Sequence, residues 1–405
     1  MTNYLFIGAF LAACLGQGFV YFNVGILDEA IWSDQARYVE TGSPEQYNPA
    51  HAYGHPGGPV IFGTIAVHHL AGISYETALP VFLTMFNGVV IAAIATLCRR
   101  LRPDSLWWLP VLGTLSVDKL YAVSTPTSAV AGPLLVLLTL LTLWIVEHKV
   151  VSWRWLAGWI LVAGLAVATR FDIGAITTAF LFGVLATNLR WWQLTGLAAA
   201  AFAVFVVCDP YMCSMPIRHV GDLLGKAALH HQTFARNRLD PGEVASLSAL
   251  AFLGLAFTLL TQAAPGAVRR RLSPVFVWAL VALTVALYGI FLSASYQAVR
   301  YFIPIVFIWQ VFLPLQLFDL IAGLRFQSLR TEASRGRARV ICAAVVVLLL
   351  VGSQISFLLD HARLKAQQPG MACRSEMVGG FPRWRVGLGW EWCSSKPAAQ
   401  AREIG

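Results

Sequence analysis

The feature that most constrains this chain is a succession of apolar segments separated by short polar turns. A helix needs about 20 apolar residues to cross the hydrocarbon core of a bilayer, and several segments reach that length. Charged residues make up only 12% of the chain, whereas a soluble globular protein carries about a quarter. So few charges cannot cover a water-facing surface, which excludes a soluble enzyme, a disordered scaffold and a disulfide-stapled secreted module. The sequence therefore predicts an all-α integral membrane protein.

The apolar segments predict a polytopic bundle of about eleven transmembrane helices, the first of them uncleaved. The expected spans are 4–22, 79–98, 106–122, 126–147, 155–169, 173–189, 193–211, 244–263, 274–293, 301–322 and 340–359. Several are short for a bilayer about 30 Å thick, so we expect tilted or partly inserted helices. Residues 57–73 are apolar but interrupted by His68 and His69, and they predict a re-entrant or interfacial helix instead of a span.

The spans divide the chain into one membrane domain and a short tail. The expected parts are a transmembrane domain over 1–359, external loops at 23–78 and 212–243, and an external tail over 360–405. An oxidising periplasm would allow a disulfide between Cys373 and Cys393 in the tail, and the sequence leaves this pairing open. The loop at 212–243 predicts an amphipathic helix, which either covers a donor pocket or rests its basic side chains on anionic headgroups.

Many of the basic residues behind the net charge of +9 lie in short turns between spans, for example Arg99, Arg100 and Arg269 to Arg271. Cytoplasmic turns of membrane proteins carry such an excess of Lys and Arg, so we expect a cytoplasmic N-terminus and a periplasmic C-terminus. No basic stripe with interleaved aromatic residues is present, so no nucleic-acid partner is expected. The preference for Arg over Lys, with abundant Ala, Gly and Leu, is typical of GC-rich bacterial genomes and indicates a bacterial inner membrane.

A pair of acids, Asp28 and Glu29, directly follows the first apolar helix. A carboxylate at a membrane boundary is partly desolvated, which makes it a stronger base. Asp28 is therefore a candidate catalytic base, with Glu29 orienting the acceptor or, together with Asp28, binding a divalent metal. The alternative is that one of these acids caps the helix expected over 30–41.

Further polar and aromatic residues follow in the first loop, namely Asp34, Arg37, Tyr38 and His55. Aromatic rings stack on the CH faces of a sugar while polar groups bind its hydroxyls, so these residues are candidates for binding the acceptor or the sugar. An interfacial aromatic belt is the simpler alternative. His51 and His55 are also too few on their own to predict a metal site.

Arg300 and Tyr301 open a late apolar helix, and Arg170 stands between two earlier ones. An ion at such a depth is costly unless it is paired, and a guanidinium matches a phosphate in geometry. Arg300, Tyr301 and Arg170 are therefore candidates for binding the phosphate of a donor. Interfacial snorkelling of Arg300 and a local salt bridge between Arg170 and Asp172 are the alternatives.

Together these motifs resemble the GT-C superfamily of glycosyltransferases that use polyprenol-phosphate sugars, especially the protein O-mannosyltransferase and lipid A aminoarabinose transferase branch. The similar elements, in order within residues 1 to about 322, are Asp28-Glu29, Arg37-Tyr38, His55-Pro56, Thr169-Arg170-Phe171 and Arg300-Tyr301-Phe302-Ile303-Pro304. At Pro126 the chain departs from the pattern, because the family often has an acid at this place. The resemblance implies that Asp28 is the base or the acceptor-positioning acid and that Arg300 holds the lipid phosphate.

The expected function is transfer of a sugar from a polyprenyl-phosphate donor to a lipid, glycan or protein acceptor on the periplasmic face. The sequence has no nucleotide-binding motif, which favours a donor carried on a membrane lipid. A divalent metal is the one cofactor that the acids leave open. The alternatives are a transporter or flippase for a lipid-linked sugar, a polysaccharide polymerase or ligase, and a structural membrane subunit.

Overall fold

In the computed structural model the protein is helical in the residues described, apart from one short pair of strands. The structure describes residues 2–23, 29–42, 55–101, 103, 125–149, 152–212, 216–221, 225, 255–256, 259, 273–293, 305, 308–309, 311–312, 344, 376–378 and 381–383.

The longer helices of these ranges follow one another with short connections. They are α1 (Thr2–Asn23), α2 (Glu29–Thr41), α3 (Gly58–Ala71), α4 (Tyr75–Leu101), α5 (Pro126–His148), α6 (Trp153–Thr169), α7 (Phe171–Leu185), α8 (Trp191–Cys208) and α9 (Pro274–Ser293). Residues 216–221 form a further helical turn. In the tail, β1 (Glu376–Val378) pairs with β2 (Phe381–Arg383) in antiparallel register.

Among the described helices, α4, α5, α8 and α9 are long and apolar enough to cross a membrane, and α1, α3, α6 and α7 contain shorter apolar stretches. This confirms the prediction of a helical membrane protein. The figure of eleven spans stays a prediction, because the spans expected at 106–122, 244–263, 301–322 and 340–359 lie wholly or largely outside the described residues.

Local sequence explains where several helices begin and end. At α5, Thr125 is the N-cap and its hydroxyl accepts a hydrogen bond from the Ser128 N–H at 3.3 Å, while Pro126 stands at the first helical position, where no N–H is required. Glycines in the left-handed conformation flank α3, Gly57 before it and Gly72 after it. The interfacial helix expected over 57–73 is thus a 14-residue helix.

Helix α5 forms the centre of the bundle. Nearly all of its residues are buried, and they pack against α4, α6 and α7. A helix that is apolar all round is stable only when it is enclosed. The indole of Trp159 on α6 donates a hydrogen bond to the Thr142 hydroxyl of α5 at 2.9 Å, so the polar atom of this large buried ring is satisfied.

The directions of the helices define two different ends of the bundle. Arg170, between α6 and α7, contacts Ser128 in the first turn of α5, whereas Trp144 near the end of α5 packs on Trp155 near the start of α6, with ring centroids 5.0 Å apart. We call the end with Arg170 the polar end. The opposite end, called the basic end, carries Lys149, Arg154 and Arg190.

Two consecutive glycines bring three segments together at the polar end. Gly57 has φ +64°, and a Cβ atom there would lie 1.8 Å from the ring of Trp32 on α2. A Cβ atom at Gly58 would lie 1.7 Å from the Cys208 carbonyl oxygen at the end of α8. The Gly57 N–H also donates to the Thr169 carbonyl at 3.3 Å. The turn before α3 is therefore wedged between α2, the end of α6 and the end of α8.

Replacing Gly57 with Ala is expected to lower the free energy of unfolding by roughly 2–5 kcal/mol, because the new methyl group meets both a left-handed backbone and the ring of Trp32. Thermal unfolding of the detergent-solubilised protein measures the effect. Gly183→Ala is the matched control, since a Cβ atom at that helical glycine meets nothing within 4 Å. Equal stability of the two variants would contradict this account of the turn.

Candidate functional site

The polar end contains a buried cation held by two side chains. The Arg170 side chain has no exposed surface. Its Nε and Nη2 atoms donate to the two oxygens of Asp172 at 3.2 and 2.7 Å, and Nη1 donates to the Ser128 hydroxyl at 2.8 Å. A guanidinium at this depth requires such a set of acceptors, because an unpaired buried charge is strongly destabilising.

Asp172 is the exposed side of this pair. About a third of its side chain is accessible, and the imidazole Nδ1 of His55 lies 3.9 Å from its Oδ1 atom. His55 comes from the turn before α3, whereas Asp172 lies in the first turn of α7. The bundle therefore presents a carboxylate at a fixed position, with an imidazole beside it and a cation behind it.

Small hydroxyl groups at the start of α5 continue the polar group inwards. The Thr125 hydroxyl lies 3.0 Å from the Ser128 hydroxyl and 3.1 Å from that of Thr127. All three side chains are buried. At this turn, where the sequence has Pro126 in place of an acid, the chain thus contributes hydroxyl groups to the polar end.

A second buried polar group follows the end of α8. The carboxylate of Asp209 lies 2.9 Å from Nε2 of His219 through Oδ2 and accepts the Tyr211 N–H at 3.0 Å through Oδ1. Neither Asp209 nor His219 has an exposed side chain. Burial and the charge of Asp209 raise the pKa of Tyr211 above its usual range. Since Gly58 touches Cys208, this group adjoins the turn that carries His55.

A third polar group, called the outer cluster, joins α2 to the end of α3 and the start of α4. It contains Asp34, Arg37 and Glu40 of α2, His68 and His69 of α3, and Tyr75 and Glu76 of α4. Arg37 bonds Glu76 at 2.5 Å and lies 3.5 Å from Asp34. Glu40 accepts a hydrogen bond from the Tyr75 hydroxyl and pairs with His69. The Tyr75 hydrogen bond, assisted by His69, lowers the pKa of Glu40.

The residues predicted from sequence fall into three sets. Arg170 and His55 meet at the polar end through Asp172. Asp34 and Arg37 lie in the outer cluster, and Tyr38 is a partly exposed residue of α2. Glu29 is the first residue of α2. Asp28, Arg300 and Tyr301 lie outside the described residues, as do Cys373, Cys393 and most of the loop at 212–243.

Sequence reasoning missed the contributions of Ser128, Asp209 and Glu40. The available signal was their position, since each lies within a few residues of the end of an apolar helix. Polar groups at such places are either solvated or paired across the bundle, and the pattern along one chain does not distinguish the two outcomes.

Comparisons with protein-family models, with curated proteins and with solved structures gave no match.

Breaking the buried pair is expected to have unequal effects on its two members. Asp172→Asn leaves an uncompensated charge on a fully buried guanidinium, and we expect a loss of about 2–3 kcal/mol, below the value for a pair buried on both sides because Asp172 is one third exposed. Arg170→Met should cost less, because the remaining carboxylate can turn towards water. Thermal unfolding of both variants and of the double variant checks this, and a greater loss in Arg170→Met would contradict it.

Proposed function

We propose that the protein is a glycosyltransferase of a bacterial inner membrane that moves a sugar from a polyprenyl-phosphate carrier to an acceptor on the periplasmic face. The observation that carries the proposal is the fixed carboxylate of Asp172, held by the buried Arg170 and adjoined by His55. Ionisable groups at membrane depth are costly to maintain, and they mark functional sites by default.

The distribution of charge supports the orientation. Lys149, Arg154 and Arg190 lie at the basic end, opposite the carboxylate. Because Lys and Arg accumulate on the cytoplasmic side of membrane proteins, the polar end would face the periplasm. A lipid-linked donor in the outer leaflet can reach groups at this end without crossing the bilayer.

The contacts of Arg170 refine its expected role. At least three of its N–H groups are directed at Asp172 and Ser128, and its side chain is fully buried. In our proposal Arg170 therefore acts as a positioning residue for Asp172, and Arg300 is left to bind the donor phosphate. The partly exposed Asp172 would accept a hydrogen bond from a hydroxyl of the sugar or the acceptor, which fixes its orientation for attack.

The start of α2 supports Asp28 as the acid that acts on the acceptor. Glu29 opens α2 three residues before Trp32, whose ring packs on Gly57. A rise of 1.5 Å per residue places the start of α2 about 4.5 Å along the axis from Trp32. The chain that carries Asp28 therefore enters α2 close to the turn that holds His55.

The chemistry requires one displacement at the anomeric carbon. The acceptor oxygen forms a bond to this carbon as the bond between carbon and the phosphate oxygen breaks. The acceptor proton passes to Asp28, and the bonding electrons leave with the lipid phosphate. A fixed guanidinium at Arg300 would stabilise the negative charge that develops on that phosphate. A divalent metal at Asp28 or Glu29 would supply further stabilisation of the same charge.

A second candidate function, transport of a lipid-linked sugar, is favoured by one observation. Gln17 and Tyr21 of α1 and Asn87 in the middle of α4 are fully buried, and within the described part of the chain both polar side-chain atoms of Gln17 lack a hydrogen-bond partner. Transporters place polar groups near the bilayer midplane. Under this candidate Asn87→Leu would stop passage of a labelled lipid-linked sugar across proteoliposomes, whereas under our proposal sugar transfer persists in that variant.

The main test compares the wild type with Asp28→Asn in purified membranes that receive labelled polyprenyl-phosphate sugars. Loss of the base is expected to lower transfer about 100-fold or more. Glu147→Gln is the control, because it removes an acid near the basic end and should leave transfer unchanged. Equal transfer by the wild type and Asp28→Asn would remove Asp28 from the mechanism.

Arg300→Ala is expected to raise the donor concentration needed for half-maximal transfer by about tenfold or more, because a charge-assisted contact to the lipid phosphate is lost. Titration of the donor in the same membranes measures this effect. Arg190→Ala, at the basic end, provides a cation removed from the other side of the bundle. An unchanged donor requirement in Arg300→Ala would assign this arginine to the membrane interface.

A further inference from the structure

We propose that Glu40, His68 and His69 form a binding site for a divalent transition metal of the zinc class. The three residues each offer one ligand atom, and these atoms all lie within 4.8 Å of one another. Glu40 lies in the last turn of α2, and both histidines lie in the last turn of α3. A metal here would join two helices that are connected only through the turn before α3.

The chemistry of the ligands selects the class of metal. Two imidazoles and one carboxylate are a donor set that zinc accepts in tetrahedral sites, with a fourth position left for water. Calcium and magnesium prefer oxygen ligands throughout, so they fit this set poorly. His69 has 61% of its side chain exposed, which gives a metal ion direct access from solvent.

Neighbouring groups already orient the ligands. The Nδ1 atom of His68 lies 2.5 Å from the Ile73 carbonyl oxygen, so this nitrogen donates and Nε2 keeps the lone pair for a metal. The Tyr75 hydroxyl donates to one oxygen of Glu40, while the other oxygen faces Nε2 of His69. The Tyr75 ring also stacks on His68, with centroids 4.1 Å apart. Outer hydrogen bonds of this type hold metal ligands in place.

A plain ion pair between Glu40 and His69 accounts for less of this arrangement. It uses only two of the three residues and leaves the fixed orientation of His68 without a purpose. The nearest basic side chain, Arg37, is engaged by Glu76 at 2.5 Å and lies 3.5 Å from Asp34, so its charge is compensated. The outer cluster can therefore accept a cation at the histidines.

The site is separate from the proposed transfer chemistry. Glu40 lies eight residues after Trp32 on α2, a distance of about 12 Å along the helix axis. It is also distinct from a metal at Asp28 or Glu29, which precede Trp32 in the chain. Loss of zinc binding would thus leave the proposed glycosyltransferase activity an independent question.

Zinc titration of the full-length protein tests the site. The detergent-solubilised protein is stripped with a chelator and titrated calorimetrically with zinc chloride. We expect Glu40→Gln, His68→Ala and His69→Ala each to lose one bound equivalent or to weaken its affinity at least tenfold. Tyr75→Phe keeps all three ligands and should weaken the affinity about tenfold through loss of the outer hydrogen bond. Zinc should also raise the unfolding temperature of the wild type and not that of the ligand variants.

His148→Ala is the control, because His148 is exposed at the basic end and should not affect the titration. The same zinc stoichiometry and affinity in the wild type and in all three ligand variants would overturn the site, as would an absence of zinc binding in the wild type. If a ligand variant fails to fold, as judged by size-exclusion chromatography, the Tyr75→Phe affinity decides: a value equal to that of the wild type counts against the site.

Discussion

The charge of Arg170, which has no exposed surface, determines the arrangement of the polar end. A buried cation is tolerated only when its N–H groups meet acceptors, so separate helix ends have to converge on it. Asp172 comes from the first turn of α7 and Ser128 from the first turn of α5, where the Thr125 hydroxyl lies beside it. The turn with His55 then closes against Asp172. One cation thus fixes the relative positions of the segments that the proposed transfer would use.

Much of the helical framework could be predicted from the sequence, because continuous apolar segments leave few other structures available in a membrane. The span expected over 274–293 coincides with α9, and the one expected over 126–147 differs from α5 by one residue. The error was larger at the end of α8, where the expected span ran to 211. Tyr211 and Met212 extend the apolar pattern, yet they lie in a turn beside the buried pair of Asp209 and His219.

The candidate site was less predictable, because side-chain partners depend on contacts between distant parts of the chain. The sequence left Arg170 with two alternatives, a phosphate or Asp172, and only the structure shows the contact with Asp172. Arg37 and His55 were grouped because they share a loop. The structure instead places Arg37 against Glu76, which follows it by 39 residues. The roles expected for Asp28 and Arg300 stay predictions, since both lie outside the described residues.

The enclosure of α5 has a consequence for biosynthesis. This helix is buried almost completely, yet α6 and α7, which supply much of its surroundings, are translated after it. A newly inserted α5 must therefore remain in contact with lipid, or with the insertion machinery, until its later neighbours arrive. Its uniformly apolar surface suits that waiting period as well as the finished interior. Substitutions on the faces of α6 and α7 that cover it would then impair maturation in the membrane even where they touch no chemical group of the polar end.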